Sequence, residues 1–129
     1  MRARSLLLAG LIGLTSLAVL PAPSEAANEY GALAYGRKNG ALGWSYNYDD
    51  EDEARRRAME ECEKYASDCK IARTFTDVCV TVARAGNRMG WAWGYEKAER
   101  RRRAIAECRK DGGRNCKVEA NFCTGEGRD

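Results

Sequence analysis

Six cysteines, one acidic run, two arginine runs and two ladders of aromatic residues are the groups in this 129-residue sequence that could do chemistry. The cysteines are Cys62, Cys69, Cys79, Cys108, Cys116 and Cys123. No Cys-x-x-Cys pair and no histidine occurs, so zinc lacks a ligand set of the usual spacing, and the even cysteine count points to three disulfides. The missing histidine also removes Ser/His/Asp and Cys/His triads and histidine-based proton transfer. The run Asp49-Asp50-Glu51-Asp52-Glu53 offers paired carboxylates for glycoside hydrolysis or calcium binding. It lacks the EF-hand spacing and a second carboxylate cluster, and acids at a helix start, where the macrodipole favours them, account for it better. The runs Arg55–Arg57 and Arg100–Arg103 could grip an anionic polymer. Against that, Glu51/Arg55, Asp52/Arg56, Glu53/Arg57, Glu96/Arg100 and Glu99/Arg103 stand four apart with the acid first, as on a solvated, ion-paired helix face. With 22 basic and 19 acidic residues the net charge is +3, so nucleic acid is not an expected partner. No metal and no cofactor are expected.

The aromatic ladders are Trp44, Tyr46 and Tyr48, and Trp91, Trp93 and Tyr95. Alternation places each set on one face of a strand. Six rings on neighbouring strands would form a stacking platform for a sugar or a cell-wall glycan. Small residues between them (Ser45, Asn47, Ala92, Gly94), with alanine and cysteine on the helices opposite, make the same rings suitable core filling. The volume argument favours the core, with one ring in each ladder left partly exposed.

These ladders belong to a repeat. Gly43-Trp44-Ser45-Tyr46 is answered by Gly90-Trp91-Ala92-Trp93, Ala58-Met59-Glu60-Glu61-Cys62 by Ala104-Ile105-Ala106-Glu107-Cys108, and Asp68-Cys69-Lys70-Ile71 by Asn115-Cys116-Lys117-Val118. Cys79 and Cys123 are read as corresponding third cysteines, and the offset stays between 44 and 47 residues. Each unit has an apolar stretch, a Gly/Asn turn and an alternating stretch, which together read as a hairpin. A charged helix follows, over 49–65 and 96–109, with buried stripes Ala54, Ala58, Cys62, Tyr65 and Arg101, Ala104, Ile105, Cys108. A short β-prone run then closes the unit. The predicted fold class is α+β: two pseudo-symmetric ββαβ repeats, about 30–78 and 79–123, forming one antiparallel sheet with both helices on one face. Three disulfides staple it. Spacing and symmetry suggest Cys62 with Cys69 and Cys108 with Cys116 as local pairs, and Cys79 with Cys123 joining the halves.

The start of the chain reads as an export signal. Arg2 and Arg4 precede the apolar run Leu6–Leu20, and Ser24-Glu25-Ala26 supplies a small-residue cleavage site, so residues 1–26 are expected to be removed. The apolar run is shorter than the roughly 20 residues that cross a bilayer, so no membrane span remains after cleavage. The expected location is secreted, in the periplasm or outside the cell, with residues 27–129 as one disulfide-bonded domain. The Gly- and charge-rich segment 124–129 is expected to be a disordered tail.

The paired Gly-Trp-x-aromatic blocks, the Ala-x-x-x-Cys helix ends and the Asp-Cys-Lys-Ile and Asn-Cys-Lys-Val strands resemble the bacterial secreted family described as domain of unknown function 4189, from about Tyr30 to Cys123. The resemblance implies a small exported α+β protein and carries over no catalytic residues, because the family defines none. The expected function is a non-enzymatic binding or interaction module of the cell envelope or extracellular space, inhibitor-like or a secreted effector, with another protein as partner. The alternative is glycan or peptidoglycan binding through the Trp44 and Trp91 strands. A carboxylate-based hydrolase is the weakest reading, because the usual nucleophile and base pairs are absent.

Overall fold

The computed structural model describes residues 16–20 and 29–129. The expected export signal, residues 1–26, falls largely outside the described residues. Among the described residues, no helix is long and apolar enough to cross a membrane.

Each half of the chain forms the ββαβ unit that the sequence predicts. The first consists of β1 (Tyr30–Gly36), β2 (Ala41–Tyr48), α1 (Glu51–Glu63) and β3 (Cys69–Thr76). The second consists of β4 (Val78–Ala85), β5 (Arg88–Trp93), α2 (Lys97–Lys110) and β6 (Lys117–Thr124). Helix α1 starts where the acidic run predicts, with the Asp50 side chain accepting a hydrogen bond from the Glu53 N–H at 2.8 Å.

The expected single sheet is corrected to two. The strands form two three-stranded antiparallel sheets, ordered β2-β1-β3 and β5-β4-β6. The reason is the link between the halves. Only Asp77 separates β3 from β4, with φ 51°, and one residue cannot close an antiparallel hairpin, so the chain turns a corner from one sheet to the other. The helices accordingly lie on opposite outer faces rather than on one side. The layers run α1, first sheet, second sheet, α2.

Three apolar layers hold this stack together. Leu33, Phe75, Val80, Val82, Met89, Ala120 and Phe122 fill the space between the sheets. Ala32, Ala34, Ala41, Ala54, Ala58 and Cys62 pack α1 on the first sheet, and Ala83, Ala92, Ala104 and Cys108 pack α2 on the second. Alanine and glycine dominate the outer layers because the helices ride close to the strands. A Cβ on Gly43 would lie 2.1 Å from the Ala58 carbonyl oxygen, and one on Gly90 would lie 2.1 Å from the Cys108 nitrogen. Pseudo-symmetry reaches the core: Phe75 and Phe122 meet edge to face with centroids 6.3 Å apart, Trp91 packs on Phe75 and Trp44 on Phe122.

All three disulfides form as paired above, and they point to an oxidising, extracytoplasmic compartment. The structural role of one is corrected. Cys79 and Cys123 face each other on β4 and β6, inside the second sheet, so this bond does not join the halves. The matching pair in the first sheet is Tyr30 with Thr76, which means Cys79 and Cys123 are not counterparts. The halves are joined by the core between the sheets and by polar contacts across it, among them Arg37, whose guanidinium makes a bidentate ion pair with Asp111 at 2.7 and 2.8 Å, and Arg84, which donates to the Gly40 carbonyl.

The segment 124–129, expected to be disordered, is folded back. Thr124 is fully buried; its hydroxyl donates to the Glu29 carbonyl and accepts from the Asn47 N–H. Asp129 accepts a hydrogen bond from Arg100. A polar, glycine-rich composition suggested disorder, yet here the polar groups make specific hydrogen bonds.

Candidate functional site

The two ladders do not form one platform of six rings. β2 and β5 belong to different sheets and lie on diagonally opposite edges, β2 over β6 and β5 over β3. Within each ladder the rings also part. A bulge at the end of β2, where Asn47 has φ 60°, turns Tyr48 away from Trp44 and Tyr46 and toward α1. Tyr95 lies beyond β5, after Gly94. Core and surface readings each hold for part of the set. Trp91 is partly buried between the sheets, whereas Trp44 and Trp93 are 37% and 39% exposed and Tyr46 and Tyr95 more than half exposed.

The exposed rings line a groove along each edge. Beside β5, Trp91, Trp93 and Tyr95 form one wall, and Arg103, Ala106, Glu107 and Lys110 of α2 form the other, around about 780 Å³. These helix residues succeed one another on a single stripe, next to the buried stripe Arg100, Ala104 and Cys108. The Trp91 and Trp93 centroids are 5.2 Å apart, and the Arg103 guanidinium lies 3.9 Å over the Tyr95 ring. Arg103 also donates to Glu99, which raises its pKa, and Lys110 pairs with Glu107 at 3.2 Å. Beside β2, Trp44, Ser45, Tyr46, Tyr48, Arg57 and Glu61 line a smaller groove of about 330 Å³. There Arg57 donates to the Tyr48 hydroxyl and to Glu60, and the bond from Arg57, with a second from Arg56, holds the Glu60 carboxyl below its usual value against burial.

Tyr95 is held in an unusual conformation. Its φ of 55° is in the left-handed region that a bulky side chain avoids, directly after Gly94 at 71°. The pin is Arg100, which is 1% exposed. Its guanidinium donates to the carbonyls of Gly94 and Tyr95, to the Thr81 hydroxyl, and to Asn121 and Asp129. Burial works to raise the Asp129 pKa, but hydrogen bonds from Arg100 and Asn121 overcome it, and the carboxyl stays below its ordinary value.

Arg100 is the functional neighbour that sequence reasoning missed. The helix stripe was expected to carry Arg101, which is exposed, whereas Arg100 is the buried one. The signal was present: counting back from Cys108 as from Cys62 sets Arg100 opposite the buried Ala54. The arginine runs are otherwise solvated, as expected, but only Glu99–Arg103 of the five predicted pairs forms among the described residues. Arg56 instead pairs with Glu53 and Glu60, and Arg57 with Glu60.

No curated protein and no solved structure matches this chain. A family model does match, over residues 30–123, from the first strand to the last cysteine of the duplicated unit. The chain belongs to that family, described as domain of unknown function DUF4189.

Proposed function

We propose that the protein is an exported, non-catalytic binding module, acting in the periplasm or outside the cell, and that its ligand is a glycan chain held in the β5/α2 groove. The observation that carries this is the composition of the groove walls. Exposed aromatic rings stand beside cations whose charge is cancelled by neighbouring acids, Arg103 by Glu99 and Lys110 by Glu107. A sugar offers apolar C–H faces to the rings and hydroxyls that both donate to Glu107 and accept from Arg103 and Lys110. An anionic polymer would call for a run of unpaired cations, whereas Arg103 and Lys110 are paired and only Arg73, 4.1 Å over the Trp93 ring, has no ion pair there among the described residues. The volume is that of a small-ligand site and accommodates a short stretch of saccharide.

Sedimentation with purified peptidoglycan sacculi tests this. Wild-type protein is expected in the pellet, with Tyr95→Ala and Arg103→Ser remaining folded but largely in the supernatant. Full retention of both variants would refute the assignment.

A second reading, another protein as partner, is favoured by one observation: β5 pairs only with β4, so its outer edge is open among the described residues and faces the same groove. An extended segment of a partner could add there as a strand. Soluble N-acetylglucosamine oligomers would compete for a glycan site and leave such a protein complex intact.

A further inference from the structure

We infer that the β2/α1 groove is a second site for the same class of ligand, a glycan chain, so that one molecule engages two stretches of chain at once. This rests on the assignment of the β5/α2 groove above. The duplication has kept the rim as well as the core. Arg57 and Glu61 on α1, with Lys64 at its C-cap, recur as Arg103, Glu107 and Lys110 on α2, each pair 46 residues apart. The ion pair Glu61–Lys64 at 2.8 Å recurs as Glu107–Lys110 at 3.2 Å. Packing does not require this, since these side chains are solvent-facing and their helix neighbours Glu60 and Glu63 are answered by Ala106 and Arg109. On the strands, Tyr46 stands where Trp93 does, again exposed. Both rims carry balanced charge, as a neutral hydroxylated chain requires and a polyanion does not.

The two sites are not equal. The β2 groove has less than half the volume, offers a tyrosine in place of a tryptophan, and has its Arg57 tied to Tyr48 rather than stacked on a ring. It is therefore the weaker site, by about tenfold for one ring contact of this kind. The grooves occupy diagonally opposite edges, so a short oligomer fills one at a time and only a long chain, or two chains, spans both.

Native mass spectrometry and calorimetry with an N-acetylglucosamine tetramer test the inference, with thermal unfolding confirming that each variant folds. Wild-type protein should take two tetramers, tight and weak. Tyr46→Ala, or Arg57→Ser in the same groove, should take one with the tight affinity unchanged. With long glycan strands released from sacculi, light scattering should report cross-linking by the wild type and none by Tyr46→Ala. A single tetramer on the wild type, or two on Tyr46→Ala and Arg57→Ser alike, overturns the second site while leaving the first. No tetramer at all overturns both.

Discussion

Replacing Tyr95 separates backbone strain from ring chemistry. At φ 55° any residue with a Cβ is strained by about 1 kcal/mol relative to glycine. The ring is more than half exposed and its contact with Arg103 lies in solvent, so removing it changes folding stability little. Tyr95→Ala keeps the strain and loses the ring, whereas Tyr95→Gly loses both. The glycine variant should therefore be more stable than the alanine variant by about 1 kcal/mol, which separates their urea midpoints by about 0.5–1 M at the slope of a small domain. Both should lose saccharide affinity by about tenfold, because the wall of the β5/α2 groove is gone. Tryptophan emission during urea unfolding, with disulfides intact, measures the first quantity, and calorimetry with the tetramer measures the second. Equal midpoints for the two variants would show that the turn holds no strain at Tyr95. Wild-type affinity in Tyr95→Gly would remove the ring from the site.

Arg100→Met keeps the length of the side chain but strips Thr81, Asn121, Asp129 and two carbonyls of a shared buried donor; it should cost about 3 kcal/mol in chemical denaturation. Gly43→Ala and Gly90→Ala drive a methyl into helix backbone and should each cost about 3 kcal/mol, whereas Gly86→Ala, with open space around it and φ +60°, should cost about 1 kcal/mol in the same assay. The Arg37 guanidinium, with help from the Met89 N–H, outweighs burial and holds the Asp111 carboxyl below its ordinary value. A depressed folded pKa stabilises the protein above the ordinary carboxylate range, near pH 4, and that contribution disappears as pH falls through the folded value. Asp111→Asn should accordingly be less stable than wild type at pH 7 and indistinguishable from it once the wild-type carboxyl is protonated, as read by thermal unfolding across pH.

Local signals carried much of this protein. Spacing alone paired Cys62 with Cys69 and Cys108 with Cys116, because each bond closes a short helix-to-strand loop within one repeat. The Gly-Trp blocks, placed 47 residues apart, marked the strands on which the helices rest. Cys79 was harder: its register partner is settled by which strands pair, and a cysteine count cannot reveal that. The run Val80–Ala83 is buried without interruption because both faces of the second sheet are covered.

The sequence by itself determined the duplicated ββαβ order and the two local sulfur pairs, since these follow from periodicity and short-range spacing. Only the tertiary structure decided that the two halves stack as separate sheets, that Arg100 and not Arg101 turns inward to pin Tyr95, and that the aromatic ladders end up as two grooves on opposite edges. Those outcomes depend on how one residue, Asp77, steers the chain between layers, and on which side chains meet across the space that this leaves.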